Sequence, residues 1–447
     1  MIKSAIAMKK TDARIRRLDK IGETKAVPSS RTVFDVKSQR WILDRLYRLM
    51  GKSVLGFSAP EEGLGKAEAR GYNFYDVQRT AARIKCIDAY SKENTRTAIE
   101  LEELARHEED AGHLESAFNY YHRAALFYYD AGWGIFDSDD RELIWLNARL
   151  NECTDKFTKY GPYPMERVEI PFKGKSLSAI LHLTPSRKNA PTIIVVPGMD
   201  DHKEGVVNPR NNQYIQRGLN CLAIDGPGQG ESLIRKIWVD AENFAEAGSA
   251  AVDYLEKRPE VKPDKIGLYG HSMGSYWAAL IASKEPRIKA LATAMSCYYN
   301  KDHIFNEAAP NFRLRFMWMA GNLNDEEFDK MVSVMTLEGR ERQIGCPTII
   351  FHGELDHLTN TEETYNYFDK LGAETKELRI YENQGHGIGT FRDGWYMMVA
   401  DWLRDRLMDL PPVQKRRIVL VDSDRREHPV DEEAIRNGFS FIRERSQ

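Results

Sequence analysis

The stretch KIGLYGHSMGSYWAALIAS, residues 265–283, decides how the rest of the chain is read. Five residues of strand character run directly into Gly270-His271-Ser272-Met273-Gly274, and a helix of small residues follows without a linker. Composition alone yields a bare Gly-x-Ser-x-Gly only about 0.1 times in a chain of this size. The setting therefore carries the weight: a sharp strand-to-helix turn presents a serine hydroxyl on strained backbone. The glycines are required because a side chain at either position collides with the turn or the next strand. The helix amino terminus aims free N–H groups and a positive dipole end at the hydroxyl. Ser272 is the candidate nucleophile, and a non-catalytic glycine-rich turn is the competing reading.

A serine at neutral pH needs a base. In this chain architecture the order is serine, acid, histidine. Downstream, the apolar run TIIFH (348–352) leads to Gly353-Glu354-Leu355-Asp356-His357. Asp356 stands just beyond the strand end, where the acid belongs; Glu354 is its competitor, and His357 reads as a loop residue. LRIY (378–381) then leads to Glu382-Asn383-Gln384-Gly385-His386-Gly387, which makes His386 the candidate base. The oxyanion formed by attack on a carbonyl needs two N–H donors. Met273, after the nucleophile, supplies one, and Met199 is the choice for the other from Pro197-Gly198-Met199-Asp200-Asp201-His202-Lys203-Glu204. Asp200 and Glu204 in that loop are candidates for substrate contact, against the alternative of solvated charges. Asp225-Gly226-Pro227-Gly228-Gln229-Gly230-Glu231-Ser232 lacks the endings of a phosphate-binding loop and reads as a structural turn.

Outward from the elbow, short apolar strands alternate with helical segments. Thr192–Val196, Leu219–Ile224, Lys265–Tyr269, Leu291–Met295, Thr348–His352 and Leu378–Tyr381 are the strands. Ala245–Lys257, Gly274–Ser283, Thr361–Leu371 and Trp395–Met408 are the helices. This alternation implies an α/β fold with a mostly parallel sheet covered on both faces. Residues 163–410 form the expected catalytic domain, opened by an antiparallel pair around Gly174. Residues 35–162 have apolar spacings of three and four and few glycines, the texture of a helical domain. One tetratricopeptide-like stretch has no second copy, so a repeat array is not expected. Residues 1–34 read as an arm, and 411–447 as a charged tail after Leu410-Pro411-Pro412.

Composition bounds the partners. There are 64 Lys+Arg against 67 Asp+Glu, for a net charge of −3. That balance argues against nucleic acid or an anionic membrane surface. Mean hydropathy is −0.54, and no apolar run approaches the roughly 18–20 residues of a membrane span. Five single cysteines make neither a disulfide framework nor a metal-binding pattern. They fit a reducing cytoplasm. No metal and no cofactor are expected; a small molecule is the expected partner, with a homodimer left open.

The segments PGMDDHKE, AIDGPGQGES, GLYGHSMGSYWA, CPTIIFHGELD and NQGHG resemble the α/β-hydrolase superfamily. More narrowly, they resemble the group of 2,6-dihydropseudooxynicotine hydrolase, the fermentation-respiration switch esterases and the fungal yellowish-green pigment hydrolases. HLESAFNYYHRAALFYY (113–129) looks like that group's helical cap. The resemblance implies Ser272, Asp356 and His386 as nucleophile, acid and base. It also implies a substrate-assisting acid at Asp200, with Glu204 as second choice. The chain departs from the pyridine-alkaloid enzyme in His271 before the nucleophile, in its long tail, and in the Tyr- and Met-rich segment Tyr298–Met319. His271 and Tyr298 are accordingly further substrate-contact candidates. The implied activity is hydrolysis of a ketone-, ester- or lactone-bearing small aromatic molecule, including carbon–carbon cleavage. A simple carboxylesterase and a catalytically silent binding protein are the alternatives.

Overall fold

A computed structural model describes residues 67–86, 89–308, 310–389 and 392–430. The expected arm, the first quarter of the expected helical domain and the last part of the tail lie outside the described residues. The amino-terminal region is helical: α1 (Phe74–Arg83), α2 (Ala89–Asp110), α3 (Leu114–Gly132) and α4 (Arg141–Tyr160). Asn73 caps α1 by accepting the Tyr75 N–H, and Asp140 caps α4 through the Glu142 and Leu143 N–H groups. Helix α3 buries Ala117, Tyr121, Ala124, Ala125 and Tyr128, positions three and four apart. This is the apolar stripe that holds the cap together.

The catalytic domain begins with β1 (Met165–Phe172) and β2 (Lys175–His182). Lys173 and Gly174, both at positive φ, make the two-residue turn that joins them. Next come β3 (Ala190–Val196), the short helix α5 (Lys203–Val206), β4 (Asn220–Ile224), α6 (Gly230–Ile234) and α7 (Asn243–Leu255). Strand β5 (Val261–His271) runs into α8 (Met273–Lys284), followed by β6 (Ile288–Ala294), α9 (Pro310–Met319) and α10 (Asp325–Ser333). The domain continues with β7 (Thr348–Gly353), α11 (Thr361–Lys370), β8 (Lys376–Tyr381) and α12 (Arg392–Leu407).

With the last two strands, β9 (Arg416–Val421) and β10 (Glu427–Pro429), the sheet order is β1-β2-β4-β3-β5-β6-β7-β8-β9-β10. It is parallel from β4 through β9, with antiparallel strands at both edges. Both faces are covered. Ile194 and Val196 of β3 face a core shared with α7, α8 and the cap. Ile193 and Val195 point the other way, into a core closed by Trp395, Val399 and Leu403 of α12. Helix α8 is buried from Met273 to Ser283, as expected for a helix without a polar face. The strand order reverses at β3, whose neighbours β4 and β5 follow it in the chain. The crevice at such a reversal is where open α/β sheets bind ligands.

The tail adds to the sheet. Strand β9 (Arg416–Val421) pairs in parallel with β8, and β10 (Glu427–Pro429) turns back on it. Ile418, Val419, Leu420 and Val421 are buried there. A chain ending at Leu410 loses these four contacts and leaves β8 as an open edge, at roughly 1.5–3 kcal/mol for each fully buried chain. Such a truncation is expected to melt well below the intact protein and to aggregate, as thermal denaturation and light scattering will measure.

Candidate active site

Ser272 sits between β5 and α8 with φ 54° and ψ −132°, a left-handed conformation rare for a residue with a side chain. The surroundings enforce it. A Cβ on Gly270 would lie 2.2 Å from the Gly274 carbonyl oxygen, and one on Gly274 would lie 2.3 Å from the Val196 carbonyl oxygen. The Ser272 N–H donates to Ala294 at 2.8 Å. The Ser275 hydroxyl contacts the Gly270 and Ala294 carbonyls at 2.7 and 2.8 Å, and accepts the Ala294 N–H at 2.8 Å.

Three residues from separate loops converge at this turn. The Ser272 hydroxyl is 2.9 Å from His386 Nε2. His386 Nδ1 is 3.1 and 2.9 Å from the two Asp356 carboxylate oxygens. A carboxylate only accepts hydrogen bonds, so Nδ1 carries the hydrogen and Nε2 is left as the acceptor for Ser272. The Asp356 side chain is fully enclosed. Burial alone would raise its pKa, but the adjoining His386 ring and the Leu358 N–H more than offset this and hold it at about 2. Glu354, the competing acid, instead accepts the Asn383 N–H at 2.9 Å.

The loop after β3 lies against the elbow and under the cap. Met273 opens α8, so its N–H belongs to the first turn, which has no intrahelical acceptor. Met199 is buried in the facing loop. The Gln229 amide donates to the Pro197 and Gly198 carbonyls at 3.0 and 2.7 Å and braces this loop. Gly230, at φ 42°, fits because a Cβ there would strike the Asp225 carboxylate. The 225–232 turn therefore supports the loop next to it.

The remaining sequence candidates occupy varied places. Asp200 is half-buried, and its carbonyl accepts the Tyr129 hydroxyl from the cap at 2.9 Å. Glu204 is buried among Lys203 at 2.8 Å, His202 at 3.1 Å and the Thr154 hydroxyl at 3.2 Å. Burial raises the Glu204 pKa. The His271 ring packs on Gly198 and its Nε2 is 3.2 Å from Asp201. Tyr298 is wholly buried, stacked on Tyr367 at 3.7 Å, with its hydroxyl 2.8 Å from Thr293. The polar atoms of Glu204 and Tyr298 are thus engaged with these neighbours.

Two features escaped the sequence reading. Asp201 is buried and forms an ion pair with Arg70, which links the cap to His271, the residue before Ser272. Lys203 is buried between Glu204 and Asp225, 2.9 Å from the latter. These pairings span 131 and 22 residues, and no local spacing announces them. Among the described residues no helix is long and apolar enough to cross a membrane.

The fold is that of an α/β-hydrolase, and the chain is a hydrolase. The prolyl oligopeptidase family model matches residues 207–409. The chain is 27% identical to 2,6-dihydropseudooxynicotine hydrolase of Paenarthrobacter nicotinovorans, over 70% of this chain and 83% of that one. It is 23% identical to esterase FrsA of Photobacterium profundum, over 43% of this chain and 45% of that one, so it spans under half of that relative. The crystal structure of 2,6-dihydroxy-pseudo-oxynicotine hydrolase superposes with a TM-score of 0.71 at 25% identity. It covers 79% of this chain and 99% of its own.

The Asp356 pKa carries a signed expectation for stability. In the unfolded chain the carboxyl protonates near 3.8, and in the folded one near 2. The stabilisation is complete above pH ~4 and is lost as pH falls toward ~2. It amounts to about 2 kcal/mol. Urea melts across this pH range are expected to show a stability gap between wild type and Asp356→Asn at neutral pH that closes on the acid side.

Proposed function

We propose that Ser272, His386 and Asp356 are the nucleophile, base and acid of a hydrolase acting on a ketone-, ester- or lactone-bearing small molecule, probed first with aromatic substrates. The carrying observation is the unbroken line from the Ser272 hydroxyl through His386 to Asp356, with both spacings at 2.9 Å. His386 Nε2 takes the serine proton as Oγ attacks the carbonyl carbon. The resulting oxyanion faces the Met273 and Met199 N–H groups. Collapse breaks the bond to the leaving group, which takes the proton from His386 as a carbanion or an alkoxide. Water then adds to the acyl-serine as His386 removes its proton, and collapse breaks the acyl–Oγ bond, releasing the carboxylic acid while His386 returns the proton to Ser272. Asp356 keeps the imidazole in its tautomer and stabilises the imidazolium.

Carbon–carbon cleavage is favoured by the long match to a hydrolase named for an oxynicotine substrate. Ester cleavage is the second reading, favoured by the match to an esterase. A cytoplasmic setting is part of the proposal, supported by five unpaired cysteines, of which Cys153, Cys221 and Cys297 are buried. Asp200 is proposed as a substrate contact, since it follows Met199 in the loop.

Ser272→Ala is expected to lower turnover by about three or more orders of magnitude while the protein stays folded. Near-wild-type turnover in that variant contradicts the mechanism. A panel of aryl β-diketones, lactones and matched aryl esters separates the two readings: faster turnover of the diketones supports carbon–carbon cleavage, and turnover of the esters alone supports the esterase. Asp200→Ala is expected to raise KM more than it lowers kcat, and unchanged kinetics on every substrate would remove it from the site.

A further inference from the structure

Between the cap and the catalytic domain lies a cavity of about 40 Å³, walled by Tyr129 and Trp133 of the cap, the His202–Glu204 segment, and Arg315 and Trp318 of α9. Arg315 is only 3% exposed. It donates to the Trp133 carbonyl at 2.9 Å and to the Tyr129 hydroxyl at 3.1 Å, and its Nε has no hydrogen-bond partner among the described residues. Among the described residues no carboxylate pairs with it. The acids in the same wall are engaged with other cations, two of them sharing one lysine. Lys203 serves Glu204 and Asp225 at 2.8 and 2.9 Å, and Arg235 serves Glu231 at 2.7 Å.

An enclosed guanidinium without a counter-charge is costly to bury. Its five N–H donors suit it to a carboxylate, which it holds through two parallel hydrogen bonds. The Trp133 and Trp318 rings, 5.5 and 5.9 Å from its central carbon, keep the guanidinium in place without neutralising it. We infer that Arg315 anchors a carboxylate carried by the substrate. The cavity takes the anionic end, since about 40 Å³ suits a carboxylate and not a ring.

Two hydrogen bonds connect Arg315 to the loop that carries Met199. Arg315 holds the Tyr129 hydroxyl, which holds the Asp200 carbonyl, the residue after Met199. On the other side Phe316, next to Arg315, packs against Trp277 of α8. A carboxylate at Arg315 is thus held on the cap side of the loop proposed to stabilise the oxyanion. This inference rests on the hydrolase reading and adds an acidic substrate class to it.

The test compares 4-nitrophenyl hydrogen glutarate with 4-nitrophenyl valerate, which have acyl chains of equal length and differ in a terminal carboxylate. In Arg315→Gln the ratio of kcat/KM for the glutarate ester over the valerate ester is expected to fall about ten-fold, mainly through KM. Arg315→Lys is expected to keep part of the preference. An unchanged ratio, or equal losses on both esters, overturns the anchor. Free glutarate provides a readout without turnover. It is expected to raise the melting temperature of the wild-type protein and less so that of the variant. If Arg315→Gln does not fold, the wild-type protein decides alone: no thermal shift from glutarate and no competition with the valerate ester overturn the proposal. Wild type inert toward both esters would count against the hydrolase reading, and the glutarate thermal shift would still judge the anchor.

Discussion

Everything in the active-site region depends on the backbone of Ser272. A left-handed φ at a residue with a side chain costs on the order of 1–3 kcal/mol and persists only when its surroundings over-determine it. Here they do. Two glycines allow contacts no larger residue permits, and the Ser275 hydroxyl ties β5 to the end of β6 directly beneath the turn. The strain places the hydroxyl clear of the helix it precedes, where a base from another loop can meet it. His386 comes from the loop after β8 and Asp356 from the loop after β7. The parallel order of the sheet brings all three loops to one edge.

The segment after β3 is the second point of convergence. It faces the elbow through Gly198 and His271, and the cap reaches it through Arg70, Tyr129 and Thr154. Its Asp201, Lys203 and Glu204 are buried and paired. Lys203 stays cationic because Asp225, Glu204 and Glu231 more than offset the desolvation that would lower its pKa. Removing one partner from such a cluster leaves an uncompensated buried charge, which is far more damaging than losing the pair as a whole. The cap is thus attached to the loop that carries Met199, and movement of one is felt by the other.

Much of this was legible in the chain. The strands and the elbow announced themselves because β-branched runs, glycine turns and small-residue helices obey local rules. The order Ser272, Asp356, His386 could be read because each residue stands just beyond a strand. What could not be read is what depends on long-range approach. Arg70 meets Asp201 across 131 residues, and Arg315 meets Trp133 across 182. Asp200 and Asp201 are neighbours of the same type, yet Asp201 is buried against Arg70 and His271 while Asp200 is half-exposed. Only the fold separates them. The run Ile418–Val421 showed its apolarity but not its partner, because pairing with β8 depends on an edge that exists only once the sheet has formed.

The central claim is that Ser272 alone among the serines is made nucleophilic, through His386. A fluorophosphonate probe followed by peptide mapping tests this directly, because the probe reacts only with an activated hydroxyl. Activation of Ser272 predicts one adduct, on the peptide carrying this residue, that disappears in a folded His386→Ala variant. Folded wild-type protein that takes up no probe, or takes it up at another serine, would contradict it.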